Sequence, residues 1–266
     1  MIDAYLARLG VPRAEPSIEY LFELHRAHTA KVAYTNLQII KGTPASIAPE
    51  VSVAEVLAGR NGYCFHLNGA FSWLLRSLGF HVSLHRGYVV NQGETESRLN
   101  HVVLVVHDLG GAWFVDVGLG DAIHEPLPLL AGRYRQGPFE YGLEPNTRGD
   151  GWRFEHDPSG SFFAMEFESA AAGIADFAAA HEDLSTSPTS SFTRFLVAQV
   201  RQADRVKTLR GCTLSIVDEN GQHDEQIDDP RLWRDMLIGF GLPGEGLLEL
   251  WPSEREKHEA WSAAHA

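Results

Sequence analysis

Three residues of this chain could carry out covalent chemistry together: Cys64, His101 and Asp116. Cys64 follows Gly62 and opens a stretch in which Ala70, Phe71, Leu74, Leu75 and Leu78 recur at three- and four-residue steps, the spacing of one helical face. A thiol in the first turn of a helix lies at the positive end of the helix dipole, among unpaired backbone N–H groups. Both stabilise the thiolate, which is the nucleophilic form. His101 opens one apolar run and Asp116 closes the next, with Asp108-Leu109-Gly110-Gly111 between them. A regular hairpin through that turn pairs residue 107 with 110 and His101 with Asp116. The last two then share a sheet face with Cβ atoms roughly 4.5–5.5 Å apart, within reach of a carboxylate–imidazole hydrogen bond. A single bulge would break this register. An imidazole braced by a carboxylate has its tautomer fixed and its protonated form stabilised, and it can take the proton of a neighbouring thiol. Each residue taken alone has a plainer reading: a small buried apolar cysteine, a core histidine bonded to backbone, a strand-end aspartate. Their joint placement points to a thiolate–imidazolium nucleophile.

The elements that must position these residues can be read from periodicity. Residues 1–80 read as helical. Ser17 caps a helix carrying Leu21, Leu24 and His28, a short helix covers Val53–Leu57, and Gly79-Phe80 stops the helix over 64–78. From residue 81 the period changes to two. Val82–Val90, His101–Val106 and Ala112–Val117 read as strands, Asn91–Asn100 as a polar loop, and Trp152–His156 and Phe162–Phe167 as further strands. An Ala-rich stretch over 170–180 leads into the polar run Glu182–Ser191, which marks a boundary. Beyond it, Phe192–Gln202 is expected to be helical, Thr208–Val217 a strand with Cys212 in the core, and Pro230–Ile238 a helix. Glu254–Ala266 reads as a solvated helix or frayed end. Helices, then antiparallel strands, then a smaller mixed region predict an α+β fold and not a doubly wound parallel sheet. The divisions fall at 1–80, 81–190 and 191–266.

Composition narrows the function. The 22 Lys and Arg against 35 Asp and Glu give a net charge of −13 with no local basic patch, so nucleic acid is not an expected partner. Two cysteines make no disulfide scaffold. The first residues carry no secretory pattern, and no window approaches the ~18 apolar residues of a membrane helix, so a reducing, cytoplasmic setting is expected. Thirteen histidines invite a metal reading, but there is no His-Glu-x-x-His and too few cysteines for structural zinc. His81 and His85 share a strand face and are expected to be exposed strand histidines. No phosphate-binding Gly-x-x-x-x-Gly-Lys and no Gly-x-Ser-x-Gly elbow occurs. No metal is expected.

The sequence resembles the arylamine N-acetyltransferase family. The likeness is carried by Arg60-Asn61-Gly62-Tyr63-Cys64-Phe65 with Asn68, by Asn100-His101, and by Val115-Asp116-Val117-Gly118-Leu119-Gly120. Leu24-His25 with His28, Val32 to Leu37, and Ser187-Pro188 with Ser191-Phe192 match more weakly. The resemblance implies a helical bundle carrying the cysteine, an antiparallel β-barrel carrying the histidine and aspartate, and a third α/β region acting as a lid. It maps the family's catalytic residues onto Cys64, His101 and Asp116, and implies that Gly118, Leu119 and Tyr34 flank the substrates. It further implies ping-pong transfer of an acetyl group from acetyl-CoA, as co-substrate, through the cysteine to an aromatic amine, hydrazine or hydroxylamine.

Three positions depart from the family pattern. His66 stands where a glutamate is common two residues after the cysteine. The Pro-Phe-Glu-Asn stretch reads Ala33-Tyr34-Thr35-Asn36, and Leu119 replaces the usual aromatic. Two carboxylates that in the family help hold neighbours such as the arginine matching Arg60 are thereby lost, leaving Arg60 to another partner or to solvent. The third change removes an aromatic wall for an arylamine. An unusual amine, or an intramolecular amine on an acyl chain bound to a carrier protein, is then an alternative acceptor. The alternatives to acetyl transfer are an amide synthase on a carrier-bound acyl chain and a thioester hydrolase using the same three residues. A non-enzymatic small-molecule binder is disfavoured by the intact Cys64, His101 and Asp116.

Overall fold

Apolar residues at helical spacing build the first part of the chain. The computed structural model describes residues 1–91, 98–146 and 149–265. It begins with helices α1 (Ile2–Leu9) and α2 (Ile18–Lys31), a two-residue strand β1 (Tyr34–Thr35), one turn of helix α3 (Leu37–Ile40), α4 (Pro49–Leu57) and α5 (Cys64–Ser77). The Ser17 hydroxyl caps α2 by accepting from the Tyr20 N–H at 3.1 Å. Helix α5 is apolar on almost every side, from Phe65 and Leu67 to Phe71 and Leu75, because it is the central helix and is packed all round. It ends with Phe80 N–H donating to Leu75 O and Gly79 N–H to Arg76 O, the paired bonds of a Schellman stop.

Eight antiparallel strands follow: β2 (His81–Val90), β3 (His101–His107), β4 (Trp113–Val115), β5 (Leu127–Pro128), β6 (Gly132–Gln136), β7 (Phe139–Pro145), β8 (Gly151–Glu155) and β9 (Ala164–Ala172). They run in the order β5-β4-β3-β2-β9-β8-β7-β6 as a near-closed barrel. Strand β3 is an unbroken apolar run because both of its faces are covered. Val102, Leu104 and Val106 pack on the helices, whereas Val103 and Val105 point into the barrel with Phe114, Phe154 and Phe167.

Helix α6 (Ala178–Thr186) leads to a second sheet made of β10 (Val197–Arg201), β11 (Val206–Arg210), β12 (Thr213–Asp218) and β13 (Gly221–Gln226). Strand β1 completes its edge, with Tyr34 opposite Gln199. Helices α7 (Pro230–Gly239) and α8 (Leu247–His265) cover one face, where Trp233 is fully buried and donates from Nε1 to Gly211 O at 2.8 Å. The α+β expectation therefore holds, and most elements of residues 1–117 lie within a few residues of their expected places.

The differences have physical causes. The hairpin between β3 and β4 pairs Val106 with Trp113 and Leu104 with Val115, a register two residues from the one expected. The connecting turn is longer because Asp108 and Gly110 both take positive φ, 66° and 72°. Phe192–Gln202 is not a helix: a short 3-10 turn covers Ser191–Thr193, and Val197–Arg201 is a strand with buried Ala198 and Val200 facing α7. The expected single strand Thr208–Val217 is two strands folded at Gly211-Cys212, with Arg210 opposite Thr213. Cys212 is buried, at that turn. The Ala-rich stretch divides among β9, a 3-10 turn at Ile174–Phe177 and the start of α6. The C-terminal helix is docked rather than solvated. Glu254 is fully buried and accepts from Leu196 N–H at 2.8 Å. The loop expected over Asn91–Asn100 falls largely outside the described residues.

Candidate active site

The position of Cys64, the candidate nucleophile, begins with the turn Arg60-Asn61-Gly62-Tyr63. Asn61 and Gly62 have φ of 54° and 140°. A Cβ on Gly62 would come within 2.6 Å of the His66 Cβ, so only glycine fits. The turn is tied down by Arg8 Nη2 donating to Asn61 Oδ1 at 2.9 Å and by Thr35 N–H donating to Gly62 O at 2.8 Å. Arg60 has a carboxylate after all. Its Nε and Nη2 grip Glu55 at 2.7 and 2.5 Å, and that pairing holds the Glu55 carboxyl below its usual range. His66 accepts the role of a neutral filler. One ring nitrogen lies 3.0 Å from Ala45 O, and burial pushes its pKa down to about 4.

Cys64 opens α5, which has no side-chain cap, so the dipoles of its first-turn N–H groups bear on the sulfur. The thiol lies 3.5 Å from Asn100 O, within electrostatic reach of the ring of the next residue, His101. On the far side of that ring, His101 Nε2 donates to Asp116 Oδ2 at 2.7 Å. All three residues are buried, with Cys64 only 3% exposed. Burial alone would keep the imidazole neutral. The Asp116 charge and hydrogen bond, together with the thiol, outweigh it and carry the His101 pKa up to about 10.

The carboxylate is itself fixed. Asp116 Oδ1 accepts from Asn68 Nδ2 and from Gly118 N–H, both at 2.8 Å. Asn68, one helical turn after Cys64, also donates to Val102 O at 2.6 Å and accepts from Val117 N–H at 2.9 Å. One amide thus locks the helix of the cysteine to the strand of the histidine and the loop of the aspartate. His25 braces the same loop from behind, with ring nitrogens 3.1 Å from Asp116 O and 2.9 Å from His124 O. The sequence marked Asn68 and His25 only as matching residues. The i, i+4 spacing of Cys64 and Asn68 was the available signal for the first, and nothing local signals the second.

The other expected site residues gather beside these three. A Cβ on Gly118 would meet Cys64 Cα at 2.8 Å and Asn68 Nδ2 at 2.9 Å, so the loop can approach the nucleophile only as glycine. Leu119 and Tyr34 line a water-sized gap with Asp116, Gly120 and Gln199. Gln199 also borders a cavity of about 450 Å³, whose floor is the polar face of β11 and β12 and whose walls include Asp121, His156 and Trp261. Cys64 does not line that cavity; Gln199 borders both the cavity and the gap beside Asp116.

Other candidates fall away. Cys212 is buried, and burial pushes its thiol up to about 11. His81 is exposed and pairs with Asp108 at 2.8 Å. His85, expected on the surface, is buried between Ser83 Oγ at 2.7 Å and Glu168 O at 2.9 Å. Among the described residues, no group of three His, Cys, Asp or Glu side chains could hold a metal, and no helix is long and apolar enough to cross a membrane.

Comparison with known proteins places this geometry. The family model described as N-acetyltransferase matches residues 17–237. The arylamine N-acetyltransferase of Mycolicibacterium smegmatis is 30% identical over 253 residues, covering 91% of each protein. The arylamine N-acetyltransferase / N-hydroxyarylamine O-acetyltransferase of Salmonella typhimurium is 34% identical over 149 residues, about half of either chain (53% and 52%). The structure of the Mycobacterium marinum arylamine N-acetyltransferase in complex with CoA superposes with a TM-score of 0.83 at 26% identity, covering 94% of this chain and 98% of that one. The chain belongs to the arylamine N-acetyltransferase family and is an acetyltransferase-like enzyme of that family.

Proposed function

We propose that this enzyme moves an acetyl group from acetyl-CoA to Cys64 and then to the nitrogen of an aromatic amine, hydrazine or hydroxylamine, with His101 and Asp116 as its acid–base pair. The observation that carries the reading is the 2.7 Å hydrogen bond of His101 to Asp116 beside the Cys64 thiol, with His101 raised to about 10. The Cys64 thiolate attacks the thioester carbonyl. The tetrahedral intermediate collapses with cleavage of the carbon–sulfur bond to CoA, whose thiolate takes the proton of the His101 imidazolium. The amine then attacks the acetyl-cysteine. Neutral His101 accepts the amine's proton, the Cys64–acetyl bond breaks, and the thiolate–imidazolium pair is restored. Backbone N–H groups in the first turn of α5 are placed to stabilise the developing oxyanions.

Acetyl-CoA as donor is supported by the CoA complex of the M. marinum relative. Transfer rather than hydrolysis is supported by the burial of the sulfur, which keeps bulk water from the acetyl-cysteine. In this reading Tyr34 and Gln199, which line the gap beside Asp116, part to admit the donor. Leu119 gives the acceptor an aliphatic contact at the position matching the family's usual aromatic. Residues 191–266 act in this reading as a lid over the helical and barrel parts.

Intact mass spectrometry tests the proposal. Mixing with acetyl-CoA should add one acetyl group to Cys64. The adduct should persist in buffer and clear when an aromatic amine is added. Loss of the adduct in buffer alone would make the protein a hydrolase, and its absence with acetyl-CoA would overturn the donor assignment.

A further inference from the structure

Side chains alternate along a strand, so the five-stranded sheet has two distinct faces. Val200, Leu209 and Leu214 point toward α7 and α8 and form an apolar core. Gln199, Thr208, Arg210, Thr213 and Ser215 point the other way and line the cavity of about 450 Å³. At one end of this face Val206 and Val217 pack on the barrel core, whereas at the other end Arg210 is exposed on the cavity. Two side chains of opposite charge lie on this cavity. Asp121 is already committed: His156 Nε2 lies 3.3 Å from it, and Ser161 donates through N–H at 2.7 Å and Oγ at 3.1 Å. Arg210 is different. It is exposed and makes no ion pair or side-chain hydrogen bond among the described residues, although the chain carries a net charge of −13. Asp121 is held as a carboxylate whose oxygens are already bonded to His156 and Ser161, so Arg210 is the charged group on this cavity that is open to a ligand.

Arg210 is also aligned with the nucleophile. Tyr34 lies opposite Gln199, and Gln199 opposite Thr208, which is two residues from Arg210 on the same face. The Tyr34 phenol is within electrostatic reach of both Cys64 and Arg210. A ligand lying on this floor could therefore hold one end at Arg210 and direct the other toward Cys64 past Tyr34 and Gln199.

We propose that Arg210 is a specificity-determining anion anchor, holding a phosphate or carboxylate of a substrate whose reacting end is at Cys64. This rests on the transferase reading above. The planar guanidinium stays charged at every working pH and matches a two-oxygen anion with paired N–H bonds. Two sources carry that chemistry: the phosphates of an acyl-CoA donor, and a carboxylate on the amine acceptor.

The test compares the full-length wild type with Arg210→Gln. Both are assayed with acetyl-CoA or the phosphate-free p-nitrophenyl acetate as donor, and with 4-aminobenzoate or the carboxylate-free aniline as acceptor. Because the Arg210 side chain makes no ion pair or hydrogen bond among the described residues, the variant should unfold at the wild-type temperature. If the anion is a phosphate, kcat/KM for acetyl-CoA should fall about 10- to 100-fold, the size of a lost charge-assisted hydrogen bond, and that for p-nitrophenyl acetate should not. If it is a carboxylate, the selective loss should appear with 4-aminobenzoate and spare aniline. Calorimetric binding of CoA and of 4-aminobenzoate, which requires no turnover, should weaken for the same ligand. Equal binding of both ligands, or an equal loss in all arms, would overturn the anchor. Absence of any acetyl adduct on the wild type, with the binding difference intact, would instead remove the transferase reading.

Discussion

The surroundings of Cys64 and the floor of the neighbouring cavity are built on opposite principles. Around Cys64 the carboxylate and the amide that brace the imidazole are fully bonded. Asp116 uses both carboxylate oxygens, and Asn68 bonds three different segments. Backbone packs so tightly that Gly118 has no room for a methyl group. On the cavity floor the polar side chains are sparsely bonded, Gln199 donating to Thr208 at 3.1 Å, and Arg210 makes no ion pair or side-chain hydrogen bond among the described residues. The first arrangement fixes reactivity, since a buried imidazolium exists only while its carboxylate is held in place. The second can change without disturbing the fold, and that is where choice of substrate can reside.

The comparison breaks first at Asp116. Replacing it with Asn keeps the shape but offers an N–H where an acceptor is required, so His101 should lose both its tautomer and its charge. The expected loss in kcat/KM is about 10³- to 10⁴-fold by acetyl-transfer kinetics, with the circular dichroism spectrum unchanged. A loss under tenfold would mean that the carboxylate is only structural.

Gly118→Ala probes the tightness of the same region. The added methyl meets Cα of Cys64 and the Asn68 amide, and the backbone must move to receive it. A destabilisation of about 1–3 kcal/mol in urea unfolding is expected, accompanied by reduced turnover. An unaffected urea midpoint would show the packing to be looser than described.

The smallest effects, spread over pH, separate the two kinds of histidine. His25, His66 and His124 are each pushed down to about 4, chiefly by burial. Their folded-state values lie below the unfolded value of about 6.5, so the stability they contribute is present above that pH and is lost as pH falls toward 4. His101 has the opposite sign. Its contribution is complete below about 6.5 and disappears as pH rises through about 10. Urea midpoints measured against pH should therefore peak near neutrality. The alkaline decline alone should vanish in Asp116→Asn, and its persistence there would assign it to another group.

Much of the reactive centre was legible in the sequence because its signals are local. The apolar spacing after Cys64 gave its helix, and alternation gave the strands of His101 and Asp116. The hairpin register was off by two residues, yet a two-residue slip keeps every side chain on its own face, so the pairing survived. The second sheet was legible only in part: Thr208–Val217 read as one strand where two fold back at Gly211-Cys212. Strand β13 is exposed throughout and reads Gly-Gln-His-Asp-Glu-Gln, with no apolar alternation to detect. Strand β1 is only two residues long and finds its partner, β10, more than 160 residues later. The buried apolar residues of β10, Ala198 and Val200, face α7, and within Phe192–Gln202 their spacing was disguised as helical. The partner of Arg60 was hidden for a similar reason. Glu55 lies in the preceding helix, and only the bend of the intervening turn brings the two together.

The account depends on the protonation of one imidazole, and NMR titration of His101 measures it directly. In the wild type the ring should remain protonated through neutral pH and titrate near 10. In Asp116→Asn, with burial no longer opposed by the carboxylate, it should titrate below 6.5. A wild-type His101 that titrates near 6.5, or one unmoved by the substitution, would contradict the thiolate–imidazolium pair on which the proposed transfer rests.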